Sequence, residues 1–236
     1  VASAIQASFS ERGMTIHTGI GGIERIERAA QGLRIFYRQG HAVQAIAAEA
    51  VILSTGWLGN VDTLNLAAAG VESNGRYVLV DDTLRSSAPH IYAAGEITGR
   101  MMLVQSAGYE ALLAAENALL GTEREDHHKI VPHGGFTDPE YGSVGLTEAQ
   151  ARQRTDCAVA LVPYSELDRA VIDGHPQGLC KLIVSRETQK ILGAHVVGEQ
   201  ALEVIHLVAA GMLSGMGVEQ LAGLEIAYPT FTAVVG

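Results

Sequence analysis

Residues 136–148 read FTDPEYGSVGLTE and place a short strand directly before the start of a helix. The strand is predicted over residues 141–146, after a polar turn that contains a proline. Thr147 and Gln150 form a capping box, in which the two side chains satisfy backbone N–H groups that the first helical turn leaves free. We therefore predict a short helix that ends near Arg154.

The segments downstream extend this pattern into a domain. Short apolar runs separated by turn residues predict antiparallel strands over residues 157–163, 178–186 and 190–198. Residues 200–215 predict a helix with one apolar face. The apolar positions of that face are Leu202, Ile205, Val208, Ala209 and Met212. We expect a partner chain to cover this face, because exposed apolar stripes mark interfaces.

The segments upstream predict a different architecture. Residues 50–55 form a continuous apolar run that ends at Gly56, which is typical of a strand buried on both faces. Residues 90–94 predict a second buried strand, and residues 101–120 predict a long helix after a glycine turn. The polar and charged residues 121–129 predict a linker, so a new domain is expected to begin near Ile130.

The first residues predict a helix followed by a meander. A helix over residues 1–12 is closed by Gly13. Four short segments separated by glycine or polar turns predict antiparallel strands over residues 14–18, 23–28, 33–38 and 41–47. Residues 19–22 (GIGG) open no helix and lack the context of a phosphate loop, so a turn is predicted there.

Composition narrows the function classes. A net charge of −10 excludes nucleic acid as a partner, because such a surface repels phosphates. Cys157 and Cys180 are too far apart in sequence for a redox pair of the CxxC or CxxxxC type. The sequence has no signal peptide and no apolar stretch of about 18 residues, so we predict a cytoplasmic protein without a membrane partner. Both ends interrupt predicted elements, so we expect the chain to be a fragment.

Three widely spaced segments carry a resemblance to a known family. They are residues 54–60 (STGWLGN), residues 90–96 (HIYAAGE), and residues 136–148 together with 191–195 (ILGAH). In this order they resemble the pyridine nucleotide-disulfide oxidoreductases, which include dihydrolipoamide dehydrogenase, glutathione reductase, mercuric reductase and the soluble transhydrogenase. Residues 59–64 and 228–230 are most similar to the transhydrogenase type. Trp57, Gly59 and Glu96 depart from the usual arginine, proline and aspartate.

The resemblance implies an α/β fold in three parts. Residues 1–53 would be the end of an NAD(P)-binding domain, and residues 54–122 the C-terminal segment of an FAD-binding domain. Residues 130–236 would be an α+β interface domain with an antiparallel sheet, through which the chain forms a homodimer. FAD and NAD(P) are the implied cofactors, with a nicotinamide nucleotide as the redox partner.

The resemblance also implies a set of FAD-binding residues. They are Thr55, Gly56, Gly95, Glu96, Met102, Leu103 and Val104. A glycine at residue 95 lets the backbone approach the cofactor, and the carboxylate of Glu96 then accepts a hydrogen bond from a ribityl hydroxyl. The helix that follows directs its N-terminal N–H groups at the flavin ring, where the backbone of residues 102–104 makes contact.

Tyr228 is the candidate catalytic residue, because it lies where disulfide reductases of the family have a histidine base. Ala233 lies where they have the glutamate that orients this base. Tyrosine is a poor base at neutral pH but donates a hydrogen bond. A half-buried interface tyrosine is the equal alternative. His195 and His206 are interpreted as side chains with local hydrogen bonds rather than as bases.

No metal site is predicted. His127, His128 and His133, with Asp126 and Asp138 nearby, match no standard ligand spacing, and a solvated charged segment is the favoured interpretation. Glu199 and Glu203 are four residues apart and would share a solvated or subunit-contacting helix face.

The sequence therefore predicts a fragment of an FAD-dependent NAD(P)H oxidoreductase, most like the soluble transhydrogenase or dihydrolipoamide dehydrogenase relatives. Hydride would pass from NAD(P)H through flavin to an acceptor. The fragment itself is expected to be inactive, because neither nucleotide-phosphate loop lies within it. The alternative is a non-catalytic dimerisation module that binds no flavin, and flavin absorption of the purified protein distinguishes the two.

Overall fold

A computed structural model describes residues 1–128 and 130–236 and divides them into two compact units. One unit is Gln6–Trp57, and the other comprises Val1–Ile5 and Leu58–Gly236. The first helix, α1, runs over Ala2–Glu11, as predicted.

The smaller unit contains a three-stranded antiparallel sheet in the order β1-β2-β3. Its strands are β1 (Ile20–Arg28), β2 (Leu33–Gln39) and β3 (Ala42–Ala48). Tyr37 of the central strand is buried, and its hydroxyl lies 3.1 Å from Nδ1 of His17. The predicted antiparallel meander is confirmed for these three strands.

Two predictions for the smaller unit were wrong. Residues 14–18 have no regular secondary structure, and the predicted turn over residues 19–22 lies mostly within β1. The pairing of β1 with β2 shifts between Ile20 and Gly22. The glycines there suit a β-bulge, which needs backbone conformations that other residues resist.

The predicted buried strand over residues 50–55 was also wrong. The segment pairs with no strand of the described residues, and the side chains of Ile52 and Leu53 are 90% and 71% exposed. An apolar strand is buried only where neighbouring strands satisfy its N–H and C=O groups. Residues 90–94 likewise form a single bridge, between Tyr92 and Arg85, instead of a strand.

Residues 58–128 are built around the helix α2, Val104–Leu120, which confirms the predicted long helix. Gly121 ends it in a left-handed conformation with φ of 62°. Short 3-10 helices at Leu66–Ala69 and Gly95–Thr98 and isolated bridges make up the rest. Leu84 packs against Leu113 and Ala114 of α2 in a small core.

Residues 121–128 follow the surface of α2 and lack regular secondary structure. The side-chain amide of Asn117 donates to the carbonyl groups of Thr83 and Arg124, and its oxygen accepts from the Arg124 N–H. The N–H of Asp126 donates to the carbonyl of Asp82 at 2.6 Å. These contacts anchor the segment, but residues 121–125 and 127 are exposed, as a solvated segment requires; of its described residues, Asp126 alone is buried. That the segment links two domains stays a prediction, and Lys129 lies outside the described residues.

The C-terminal part has a five-stranded antiparallel sheet in the order β4-β5-β8-β7-β6. Its strands are β4 (His133–Gly135), β5 (Tyr141–Gly145), β6 (Cys157–Pro163), β7 (Leu179–Ser185) and β8 (Ile191–Val197). Its helices are α3 (Glu148–Arg154), α4 (Asp168–Ile172), α5 (Ala201–Leu213) and α6 (Val218–Ala222). The predicted antiparallel strands, the capping box of α3 and the helix α5 are confirmed.

Helix α5 packs directly on the sheet through its apolar face. Val204, Ile205 and Val208 are fully buried in the same core as Val196 of β8. Gly142 of β5 allows this approach, since a Cβ there would lie 2.7 Å from the carbonyl oxygen of Ala201. The expectation that a partner chain covers this face was wrong, because the chain's own sheet covers it.

Candidate functional site

The turn at Gly95 and Glu96 is held by one hydrogen bond to α2 and one within the turn itself. The Gly95 N–H donates to Oε2 of Glu110 at 2.6 Å, and the hydroxyl of Thr98 donates to the Gly95 carbonyl at 2.8 Å. Gly95 has φ of 79°, and a Cβ there would lie 3.1 Å from Cβ of Ala107. Only glycine combines this left-handed backbone with so close an approach to a helix.

The side chain of Glu96 takes no part in these contacts. It is exposed, and its carboxylate has no hydrogen bond or ion pair with any described residue. A carboxylate held on a rigid turn with all its acceptor sites free can bind hydroxyl groups of a ligand. The structure therefore leaves Glu96 available for the role that the resemblance implies.

The N-terminus of α2 lies in the same part of the chain and has no side-chain cap. Leu103 is the N-cap residue in an extended conformation, and Val104 at the first helical position is 87% exposed. Met102 is half-buried, and its sulfur accepts a hydrogen bond from the hydroxyl of Tyr77. An uncapped helix N-terminus offers free N–H groups and a partial positive charge to an electron-rich group.

Thr55 and Gly56 belong to the smaller unit, whereas the other predicted FAD-binding residues belong to the larger one. Both are exposed and lie outside regular secondary structure, and Gly56 has φ of 97°. Gly59, in the larger unit, explains one departure from the family pattern. A Cβ there would lie 2.5 Å from the Arg76 carbonyl oxygen, so no side chain fits at this position.

Tyr228 lies in an exposed segment, with 74% of its surface accessible, and precedes Pro229 across a cis peptide bond. Its hydroxyl donates to Oδ2 of Asp168 at 3.0 Å. This hydrogen bond and the negative charge of Asp168 raise the pKa of Tyr228, so the side chain stays a protonated donor. Asp168 was missed by sequence reasoning, because no local pattern connects it to Tyr228.

The other titratable groups of the C-terminal part have structural roles. The ring nitrogens of His195 contact the Ser143 hydroxyl and the Leu146 carbonyl, both at 3.1 Å. Burial lowers the pKa of His195, which favours the neutral ring. Burial also raises the pKa of Cys180 to about 12, so this thiol is unreactive.

The predicted helical pair of Glu199 and Glu203 was wrong, because Glu199 precedes α5. The carboxylate of Glu140 lies at the start of this helix, where the N–H groups of Leu202 and Ala201 partly offset the effect of burial on its pKa. Burial, followed by the charge of Glu203, raises the pKa of Glu140.

A buried polar cluster lies beneath the Gly95 turn and was not predicted. Nε2 of His128 lies 2.8 Å from Oε1 of Glu110 and 3.3 Å from Oδ2 of Asp126. Both carboxylate side chains are fully buried, and burial raises the pKa of Asp126. One sequence signal was available, namely the spacing of three to four residues that places Glu110 on the same helix face as Ser106, Leu113 and Asn117. The structure shows that this face is buried. His127 and His133 are exposed and lie outside this cluster.

Comparisons with known proteins agree with these features. Residues 1–111 match the family model for pyridine nucleotide-disulphide oxidoreductases, and residues 131–236 match the model for the dimerisation domain of that family. A mercuric reductase of Staphylococcus aureus is 34% identical over 98% of the chain and 42% of its own length. A soluble pyridine nucleotide transhydrogenase of Mycobacterium tuberculosis is 36% identical over 79% of the chain and 40% of its own length.

Among solved structures, the HOCl-induced flavoprotein disulfide reductase RclA from Escherichia coli superimposes with a TM-score of 0.88 and 26% identity. The match covers 100% of the chain and 54% of RclA. The chain thus spans about half or less of the length of these relatives. Among the described residues, no helix has both the length and the apolar character needed to cross a membrane. The two family models and the shared fold show that the chain belongs to the pyridine nucleotide-disulphide oxidoreductase family, whose enzymes depend on FAD and NAD(P).

Proposed function

We propose that the chain supplies part of the flavin site and the dimerisation domain of an FAD-dependent NAD(P)H oxidoreductase. In the complete protein, hydride would pass from NAD(P)H through flavin to an acceptor. The flavin supplies the redox chemistry when bound, and the protein contributes binding, orientation and electrostatics. The proposed parts are residues 1–53 of the NAD(P) domain, residues 54–122 of the FAD domain and residues 130–236 of the interface domain.

The observation that carries this proposal is the rigid turn at Gly95 beside the uncapped start of α2. The turn holds Glu96 with its carboxylate free, as hydrogen bonding to a ribityl hydroxyl requires. The backbone of residues 102–104 would then lie at the flavin ring, where a helix N-terminus stabilises negative charge on the reduced form. The Leu103 N–H already donates to the Met101 carbonyl at 3.0 Å, so the N–H groups of Met102 and Val104 are the ones offered to the ring. Thr55 and Gly56 are proposed as cofactor-binding residues from the resemblance alone.

The acceptor is proposed to be a nucleotide or another direct hydride acceptor, as in the soluble transhydrogenase relatives. Disulfide reduction needs a base that takes and returns a proton near a thiolate. Tyr228 is held as a protonated donor by Asp168, and Ala233 has no carboxylate with which to orient a base. Hydride transfer to flavin needs neither group.

A homodimer through residues 130–236 is part of the same proposal. The match to the dimerisation domain supports it, whereas the apolar face of α5 does not, because that face is buried within the chain. Exposed apolar side chains at Phe136 and Leu213, 91% and 79% accessible, offer surface that a partner would cover.

Flavin retention by the intact enzyme tests the proposal. Substitution Glu96→Ala should weaken FAD binding about 10- to 100-fold, since a hydrogen bond to a charged group contributes about 1.5 to 3 kcal/mol. Glu187→Ala, at an exposed glutamate in the turn between β7 and β8, is the matched control. Flavin absorption after dialysis measures the loss. Equal retention by both variants would show that Glu96 does not bind FAD, and an intact parent protein without flavin would favour the non-catalytic module.

A further inference from the structure

The cluster beneath the Gly95 turn brings together three side chains of a type that binds metal ions. Glu110 comes from α2, and Asp126 and His128 come from the segment that follows it. One ligand atom from each lies within 4.8 Å of the other two. Glu110 and Asp126 are fully buried, and the side chain of His128 is 13% exposed, so the three converge inside the fold.

The second observation is that the carboxylate of Asp126 is buried without a hydrogen bond. Neither Oδ1 nor Oδ2 accepts one from any described residue. The nearest cation is Arg100, whose Nη2 lies 3.4 Å from Oδ2 and is shared with Asp82. Buried carboxylates are normally paired or bound to a metal, because leaving water without a partner is unfavourable for a charge. The two buried carboxylates, Glu110 and Asp126, therefore have the guanidinium of Arg100, which Asp82 shares, and the imidazole of His128 as the possible cations beside them.

We propose that Glu110, Asp126 and His128 bind one divalent transition-metal ion, for which zinc is the probe of choice. One imidazole nitrogen and two carboxylate oxygens suit zinc, which takes nitrogen and oxygen ligands in a tetrahedral arrangement. Calcium and magnesium prefer sites made of oxygen ligands, so the imidazole nitrogen of His128 favours a transition metal instead. The fourth position of the ion is left for water.

The observed distances are compatible with such a site. Bonds of about 2.1 Å from a tetrahedral zinc ion place its ligand atoms roughly 3.4 Å apart. His128 Nε2 lies 3.3 Å from Asp126 Oδ2, and it lies 2.8 Å from Glu110 Oε1, a hydrogen-bond contact that the ion would replace. The bound ion would also balance the charge, since Glu110, Asp126 and the Asp82 that shares Arg100 leave a net charge of −2.

The site is connected to the Gly95 turn through Glu110. While Oε1 faces the cluster, Oε2 accepts the Gly95 N–H at 2.6 Å. A metal ion bound at Oε1 would fix the carboxylate plane and with it the acceptor for this backbone N–H. Hydrogen bonds to a ligating carboxylate orient it in the same way at other metal sites. The ion is thus structural, and its binding does not depend on flavin.

Zinc titration of the tag-free, chelator-treated chain tests the proposal by calorimetry. We expect one zinc ion per chain and a rise in the thermal unfolding midpoint on saturation, because the ion binds the folded state. Asp126→Asn and His128→Gln should each weaken binding at least tenfold. His127→Gln is the matched control, since His127 is adjacent in sequence but 52% exposed and paired with Glu125.

Cobalt provides an independent readout in the parent chain. A visible absorption band of tetrahedral intensity that appears at one equivalent and disappears on zinc addition would support the site. Far-UV circular dichroism shows whether each variant is folded. If Asp126→Asn does not fold, the zinc affinity of His128→Gln alone tests the site. Absence of saturable binding, zinc affinity unchanged in a folded cluster variant, or loss of binding in His127→Gln would overturn the proposal.

Discussion

Substitution Gly95→Ala tests whether the Gly95 turn depends on close contact with α2. Gly95 and Gly75 have nearly the same φ, 79° and 80°, but they differ in their surroundings. A Cβ at residue 95 would lie 3.1 Å from Cβ of Ala107, whereas a Cβ at residue 75 would meet nothing within 4 Å. Gly75→Ala therefore reports the cost of the left-handed backbone alone, and Gly95→Ala adds the steric contact.

The expected magnitudes follow from these two terms. A left-handed conformation costs a non-glycine residue about 1 to 2 kcal/mol, and this applies to both variants. Carbon atoms are optimally about 3.5 to 4.0 Å apart, so the helix or the turn must move by roughly half an ångström. Overpacking by an added methyl group costs about 1 to 3 kcal/mol. Gly95→Ala should thus lower the free energy of unfolding by that amount beyond Gly75→Ala.

Urea unfolding followed by far-UV circular dichroism measures the difference, with the slope in urea checked for constancy. Ala107→Gly removes the clashing methyl group and completes a double-mutant cycle. In that background Gly95→Ala should cost no more than Gly75→Ala does in the parent. If Gly95→Ala and Gly75→Ala are equally destabilising in the parent, the contact with α2 does not support the turn and the reasoning is refuted.

Three further predictions concern the acceptor, the pH dependence and the assembly. The intact enzyme should reduce lipoamide or glutathione disulfide about 100- to 10,000-fold more slowly than it reduces a nicotinamide analogue, because Tyr228 and Ala233 provide no base; comparable steady-state rates would contradict this. Burial raises the pKa of Asp126 above its value in the unfolded chain, so the folded, metal-free chain binds the carboxyl proton of Asp126 more tightly than the unfolded chain does. The free energy of unfolding should therefore fall as pH rises from about 4 through the raised pKa. Thermal midpoints across this range should fall less steeply for Asp126→Asn, and identical pH profiles would refute the assignment. Sedimentation at tens of micromolar should show a dimer, and a monomer alone would count against the proposed interface.

The sequence predicted the C-terminal part well because its signals are local. The capping box at Thr147 and Gln150 needs only neighbouring residues, and the strands β5 to β8 pair within one continuous stretch. Residues 50–55 show the opposite case. Their apolar character indicates a preference for burial, but burial of a strand requires partners that pair with it, and none of the described residues does so. An apolar run therefore predicts that a segment prefers burial, but it does not identify the residues that bury it.

The apolar face of α5 and the segment before Lys129 both show that a local sequence pattern does not reveal which distant residues cover a side chain. The spacing of apolar residues in α5 was read correctly, but whether a sheet of the same chain or a second chain covers them depends on tertiary packing. The charged residues near Asp126 were predicted to be solvated, and most of them are exposed. The burial of Asp126 was missed, because burial of a charge depends on distant partners. Here Asn117 anchors the segment and Glu110 faces it, both from α2, so no local pattern within residues 121–128 contains this information.

Helix α2 unites the features on which the proposed function depends. Its N-terminus is uncapped, its residue Glu110 holds the Gly95 N–H, and its residue Asn117 anchors the following segment. Near its start, the side-chain amide of Gln105 donates to the carbonyl of Pro132 at 2.9 Å, where the C-terminal part begins. A displacement of this helix would change the Gly95 turn, the buried carboxylate cluster and the support of the C-terminal sheet together. The buried polar residues on one face of α2 hold the neighbouring irregular segments in place. Hydrogen bonds are directional, so they fix the conformation of such backbone, whereas apolar packing alone does not.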